Sequence, residues 1–388
     1  MGYNCLENKC IIIYILRWGK WGEYGLRRKY LIILLPISLL LANISAFFPN
    51  IVERIYSNGV YPIIGQSLSI ITGFLPFSVA EVIVILLFLL IILSLIRTII
   101  LLIRGKGRRK ETALRYFVNA LALGSVIYFG FVIIWGLNYN RLPFSDIANF
   151  NVQPITVQEL AKVCEDLVDK ANALRDMVSE DENGVMQISG GKASVFRRAS
   201  VGYELAAGKY PELGGRYGPP KGVFISKLMS YAGIGGVYFP FTGEANVNTL
   251  TPDSALPSTA THEMAHQRGF AREDEANYIA YVTSTLHPDP DFQYSGTFLA
   301  LRHTMNTLRR YDLDEYNKLR ARYNEGIERD LADLAAFWEK YEGSFERLSS
   351  EINDLYLKSN RQEEGIYSYN RMVDLLVAEY REKLIIGN

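Results

Sequence analysis

The sequence predicts a membrane-anchored protein, mainly α with a small β-sheet. Three N-terminal membrane helices are followed by an α+β domain built around a metal-binding helix. Three observations carry this expectation. Apolar residues concentrate before residue 139, in runs long enough to cross a bilayer. Residues 139–388 instead interleave charged and apolar positions at helical spacing. Residues 262–266 read His-Glu-Met-Ala-His and use two of the four His in 388 residues.

Residues 1–29 form a basic leader. Its apolar piece, 10–16, is too short to span and is followed by Arg17, Lys20, Arg27, Arg28 and Lys29. No small-residue cleavage site follows it, which argues against a secretory signal, and a cytoplasmic tail is expected. Spans are expected at 30–48, 79–103 and 116–137, within a transmembrane region of residues 30–138. The third span carries Ala120, Ala122, Gly124 and Ser125, small residues suited to close helix contact. Residues 51–77 mix Glu53, Arg54, Gly and Pro with an apolar stretch, and read as an exterior loop with an interfacial or re-entrant helix. Lys and Arg set the orientation. The leader and the loop holding Arg104, Lys106, Arg108, Arg109, Lys110 and Arg115 are basic, whereas the loop between the first two spans holds only Arg54. Both basic segments are expected in the cytoplasm, and residues 139–388 outside it at the cell membrane.

Whole-chain charge is balanced, with 41 Lys plus Arg against 41 Asp plus Glu, and offers no electrostatic case for nucleic acid. Cys5, Cys10 and Cys164 form neither a disulfide framework nor a CxxC site. Thr156 and Glu159 make a capping box at the start of a helix carrying Leu160, Val163, Leu167 and Ala171 on one face. Further helices are expected at 195–207, 275–286, 295–310, 313–328, 331–356 and 368–384, and a short strand then a helix from Lys221. The oligomeric state is not legible in the sequence.

Helix positions i and i+4 share a face, so His262 and His266 can hold one metal ion. Glu263 then sits beside the open coordination position, where a water needs a base. A catalytic zinc takes three protein ligands. Glu273, Asp274 and Glu275 fall in the first turn of the next helix, where the helix dipole favours acidic residues anyway. Glu273 shares a face with Ala276, Asn277 and Ala280, small residues that allow close approach, while Glu275 shares one with Tyr278, Ile279 and Val282. Glu273 is therefore preferred as third ligand, with Glu275 as the alternative. Asn277 is placed to hydrogen-bond a ligand His. Gly269 is a natural left-handed end for the first helix. Upstream, residues 236–248 read as a strand or hairpin, and Pro240 makes it an edge strand. A peptide can add to such an edge, and Ala245 and Asn246 are the expected substrate-binding positions.

HEMAH followed by EDEAN resembles the HExxH plus ExxAD or ExxAN arrangement of gluzincin-type zinc metallopeptidases. The resemblance implies a zincin-like domain, one Zn2+ per chain on His262, His266 and Glu273, Glu263 as general base, and peptide-bond hydrolysis in a peptide or protein substrate. Six residues separate His266 from Glu273, a compressed connection for that clan. The HExxHxxGxxH pattern of metzincins would put its third His at Arg272, and Arg is not a ligand. The chain is also similar to a bacterial membrane-protein family catalogued as domain of unknown function 3810. That likeness runs through the apolar spans, YFPFTGEANVN, HEMAHQRGFAREDEANYIAY and SYNRMVDLL. For a tetrahedral oxyanion, Tyr238, His303, Tyr367, Tyr369 and Arg371 have suitable chemistry, and the sequence does not choose among them. The competing expectation is a zinc-holding membrane protein without turnover, in a structural or sensory role.

Overall fold

The structure is a computed structural model, and it describes residues 30–104, 107–362 and 364–386. The basic leader expected at 1–29 lies outside the described residues. Contacts divide the chain into two units. One comprises residues up to Leu41 together with Leu90–Val132, the other Ala42–Leu89 together with Ile133–Asn388.

The described residues of the apolar third form four helices: α1 (Leu34–Ser45), α2 (Pro49–Gly73), α3 (Val79–Arg104) and α4 (Arg109–Ile134). α3 and α4 are each 26 residues long, with mean hydropathy 3.2 and 2.2. Both meet the length of a bilayer crossing. Most of the α3 side chains face outward, including Phe88, Leu90 and Leu93, as befits a helix solvated by lipid. The first expected span departs from the expectation. α1 has only 12 residues and meets α2 at a bend of 102°. Among the described residues there are therefore two helices fit to span, or three if the bent pair is one broken span. The cause lies in α2, which carries polar groups that lipid cannot satisfy. Glu53, Ser57, Ser69 and Thr72 are all buried in protein. Over Val52–Val60 the helix widens to i→i+5 bonding, and Glu53 there pairs with buried Arg141 at 2.6 Å.

The second unit continues through α5 (Val157–Arg175), whose N-terminus carries the expected capping box, Thr156 with Glu159. A hairpin of β1 (Ser179–Glu180) and β2 (Met186–Gln187) follows, then α6 (Lys192–Arg198) and α7 (Ser200–Ala206). The expected basic helix is thus broken in two. After β3 (Lys221–Gly222) and α8 (Ser226–Tyr231) come β4 (Gly236–Phe239) and β5 (Glu244–Val247). The three strands order as β3-β5-β4, with β3 parallel and β4 antiparallel to β5. The outer strands are therefore β3 and β4, and the longer of the two is β4. β5 is central, and Ala245 and Asn246 on it are buried, which corrects their expected exposure to a substrate. The Asn246 side chain is committed inside, accepting from Ser78 Oγ at 2.6 Å and donating to the Glu244 carbonyl at 3.1 Å.

The sheet is tied to α3 by a buried ion pair. Lys221 Nζ donates to Glu244 Oε1 at 2.6 Å and to the carbonyls of Thr72 and Phe77. The Glu244 carboxylate in turn accepts from the N–H groups of Val79 and Ala80, the unpaired donors at the start of α3.

The core is built by α9 (Leu256–Gln267), α10 (Glu273–Leu286) and α11 (Pro290–Tyr311), with α11 also packed on α5. Met264, Phe270, Tyr278, Phe292 and Phe298 are buried there, each contributing about 1.5–3 kcal/mol by removal of apolar area from water. Small side chains let the helices approach: a Cβ on Gly202 of α7 would lie 2.0 Å from the Thr283 carbonyl of α10. The C-terminal helices are shorter than expected. α12 (Leu313–Arg320) and α13 (Glu325–Glu339) are separated where Asn324 caps α13, its side chain accepting from Ile327 N. α14 (Ser344–Ser359) begins afresh after Gly343. A 3-10 turn over Gly365–Arg371 precedes α15 (Met372–Ile386).

Candidate metal centre

α9 starts on a Pro in its first turn, the position where a missing N–H costs nothing. It is buried on nearly all sides although its sequence is mostly polar. Its polar groups are therefore bonded internally. Ser258 N donates to Ser295 Oγ at 3.0 Å, Tyr203 Oη to the Thr261 carbonyl at 2.6 Å, and Thr261 Oγ1 shares a bond with Ser284 Oγ.

The helix ends as the glycine predicts. Gly269 has φ +83, its N–H bonds the His266 carbonyl, and Phe270 N bonds the Ala265 carbonyl at 3.1 Å. That is a Schellman closure. It turns the chain within four residues into α10, whose first residue is Glu273. The tight turn is what brings Glu273 back over the His pair despite the short connection.

His262 Nε2 lies 3.1 Å from His266 Nε2. Glu273 Oε2 stands 3.1 Å from the first and 3.4 Å from the second. The three ligand atoms fall within 4.8 Å of one another. Tautomers follow from the far side of each ring. His262 Nδ1 faces Asn277 Oδ1 at 2.8 Å, and His266 Nδ1 faces the Phe270 carbonyl at 2.7 Å. Both partners only accept, so each Nδ1 carries the proton and each Nε2 offers a lone pair to the centre. The Asn277 orientation is fixed independently, because its Nδ2 donates to the Tyr369 carbonyl at 3.1 Å. Two lone pairs and a carboxylate oxygen converging in a buried space repel unless a cation lies among them. Glu273 Oε2 has no hydrogen-bond donor of its own. This donor set fits a zinc ion.

Electrostatics show the same demand for positive charge at the centre, which a proton on His266 meets when no cation is bound. Burial would lower the His266 imidazolium, but the Glu273 carboxylate outweighs it and pushes the pKa up to about 9. Burial would raise Glu273, and the two imidazoles instead hold it well below the usual carboxylate range. Glu263 is different. Burial raises it, opposed by His262 and His266, with the Tyr238 backbone also bonded to it. Its Oε2 is buried and unpartnered. A Cβ on Gly236 would come within 2.5 Å of Glu263 Oε1, so the edge strand β4 begins directly against this carboxylate.

The structure thus brings together His262, Glu263, His266, Glu273 and Asn277. It turns Glu275 elsewhere, where its Oε1 accepts from Phe144 N at 2.9 Å and from Arg272 at 3.3 Å. Among the residues considered for an oxyanion, Tyr369 reaches the cluster, bonded to Asn353 and beside Glu273. Tyr367 is exposed and Arg371 pairs with Glu364 and Asp374 at the surface. Tyr238 is turned to Tyr61, oxygen to oxygen at 3.1 Å.

Two residues that support the motif helix carried no sequence signal. Trp135, just past α4, donates from Nε1 to the His266 carbonyl at 3.1 Å and sets its ring edge-on to the His266 ring. Tyr61 of α2 donates to the Gln267 carbonyl at 2.8 Å. Tyr61 satisfies the Gln267 carbonyl at the C-terminus of α9, and Trp135 adds a second donor to the His266 carbonyl. Nothing local marks either one, since both read as ordinary aromatics of apolar segments.

A family model described as Protein of unknown function (DUF3810) matches residues 56–377. The chain belongs to this family. The matched span includes Tyr61, Trp135, the β4–β5 hairpin, the HEMAH helix and Tyr369. No curated protein and no solved structure matches the chain.

Proposed function

We propose that this membrane protein is a zinc-dependent peptidase, with its hydrolytic unit outside the cytoplasm. The observation that carries the reading is the convergence of His262 Nε2, His266 Nε2 and Glu273 Oε2 beside the buried, half-unpartnered Glu263. His262, His266 and Glu273 would hold the ion, and Asn277 and the Phe270 carbonyl fix the two imidazoles in the ligating tautomer. Zinc bound there supplies Lewis-acid polarisation of a carbonyl and lowers the pKa of water to about 7.

The remaining work belongs to the chain. Glu263, raised by burial, is a base poised to take the proton of an attacking water and to pass it to the leaving amine. The β4 edge offers backbone groups to an extended peptide running past Glu263. That role moves to β4 from Ala245 and Asn246, which β5 buries. Tyr369, held by its neighbours next to Glu273, is the phenol we assign to donate to a developing oxyanion. A purely structural zinc site has no use for Glu263, so this residue also separates the peptidase from a sensory or structural zinc protein.

The test uses the full chain in nanodiscs. Metal analysis should give one zinc per chain, and wild type should cleave a broad peptide mixture. Glu263→Gln should retain the zinc and lose at least about 100-fold in cleavage rate. Absence of zinc, or equal cleavage by the two proteins, overturns the proposal. Orientation is read separately: a C-terminal reporter active only in the cytoplasm contradicts the extracytoplasmic placement.

A further inference from the structure

α14 is amphipathic in the wrong sense for a helix on a water-facing surface. Phe345, Leu348, Ile352 and Leu355 recur at i, i+3, i+7, i+10 and are each more than half exposed. The side turned to the protein is mostly polar, with Glu346, Ser349, Ser350 and Asn353 partly covered and Leu357 buried. A third sector, Arg347, Glu351 and Lys358, is exposed and charged. A continuous apolar stripe of this kind marks a surface that meets something other than water.

Both ends of α14 say what it meets. Tyr356 accepts from Tyr139 Oη at 3.0 Å, and Tyr139 follows closely on the end of α4. Arg361 donates to Asn43 Oδ1 at 3.1 Å, in the last turns of α1, next to exposed Phe47 and Phe48. At the other end Glu346 lies against Gly233, and Tyr341 packs edge-on to Tyr231 of α8 at 5.0 Å. α8 turns Leu228 outward, and Phe224 just before it is 87% exposed. The Phe224 N–H is fixed by Glu81 in the first turn of α3. The stripe therefore runs between the points at which the chain enters and leaves its bilayer-length helices.

We infer that α14, with Phe224 and Leu228, lies in the headgroup–acyl boundary of the bilayer and seats the zinc-site unit on the lipid surface. The occupant is lipid because the stripe is continuous with residues at the ends of helices that lipid itself must surround. An interfacial helix buries such a face about 5–10 Å into the boundary and keeps its charged sector in water. The polar inner side of α14 then faces Tyr369 through Asn353. A substrate held to the same surface is presented to the β4 edge.

The test uses the full chain with Cys5 and Cys10 replaced by Ser and single reporter sites labelled with an environment-sensitive fluorophore. The sites are Leu348→Cys and Ile352→Cys on the stripe, and Arg347→Cys and Glu351→Cys on the charged sector. Nanodiscs of phosphatidylcholine and phosphatidylglycerol carry acyl-chain nitroxides as quenchers. The stripe sites should be blue-shifted and quenched at least about threefold more than the charged-sector sites. Equal quenching at all four sites overturns the inference. So does a blue shift at 348 and 352 without lipid quenching, the result expected if a second copy or another protein covers the stripe. The readout does not depend on hydrolysis, so its failure would leave the peptidase proposal standing.

Discussion

α3 and α9 invert each other. α3 is among the most apolar helices of the chain and shows nearly all of its side chains to the outside. α9 is mostly polar and shows almost none. The rule that apolar residues go inside fails for both, and for one reason: what a helix buries depends on the medium around it. Lipid accepts the α3 surface without cost, whereas α9 can be buried because most of its polar groups are hydrogen-bonded inside the protein.

The sharpest way to test this contrast is a matched truncation. Met264→Ala in α9 removes a side chain buried to 1% exposure and should cost about 2–5 kcal/mol. Leu90→Ala, on the outward side of α3, should cost less than about 0.5 kcal/mol in a bilayer. Thermal unfolding of full-length protein in nanodiscs reads both. Equal losses would mean that α3 is packed against protein rather than lipid.

A second prediction separates the two acidic residues at the start of α10. Glu273→Ala should weaken zinc binding by more than about 100-fold, since it removes a ligand rather than a ligand's support. Glu275→Gln should change zinc affinity by no more than about twofold, because its carboxylate is engaged with Phe144 and Arg272. Competition with a chromophoric chelator measures both. A large effect at Glu275 would reassign the third ligand. Asn277→Ala comes next, at about 10–100-fold weaker zinc binding, as it frees the His262 ring to change tautomer and rotate.

How much of this was legible in the sequence follows from the range of the forces involved. The α9 motif, the Gly269 stop and the Thr156–Glu159 cap are set by neighbours within a turn or two, and local spacing finds them. The preference for Glu273 over Glu275 draws on the face of one helix and on the resemblance to the ExxAN pattern. The bend after α1 falls where the first expected span gives way to the expected interfacial or re-entrant helix. The shortness of α1 is not legible, because a run of apolar residues looks the same whether it crosses lipid or turns, and Glu53 and Thr72 find their partners far along the chain. Arg141 lies 88 positions from Glu53 and Thr242 lies 170 positions from Thr72. β5 was mistaken for an edge because its second neighbour, β3, is only two residues long. Trp135 and Tyr61 act on His266 and Gln267 across more than a hundred positions, and no pattern in one sequence encodes that distance.

The smallest predicted effect lies far from the His262–His266–Glu273 cluster, at the capping box of α5. Arg381 of α15 donates to both Glu159 carboxylate oxygens, at 2.7 and 2.8 Å. This pairing, with the Thr156 N–H and hydroxyl, lowers the Glu159 pKa from 4.5 to about 2. A depressed carboxylate stabilises the fold at pH values above its unfolded pKa, and that contribution is lost as pH falls from about 4.5 towards 2. The side chain remains 29% exposed, so solvent screening holds the effect to about 1 kcal/mol. Glu159→Gln should therefore lower the unfolding temperature slightly at pH 7, and the gap to wild type should close near pH 2–3 and shrink in high salt. A gap that stays constant with pH would mean that the cap acts through its hydrogen bonds alone and that Arg381 adds nothing. That outcome would also leave α15 docked on α5 by its apolar face, without the charge pair.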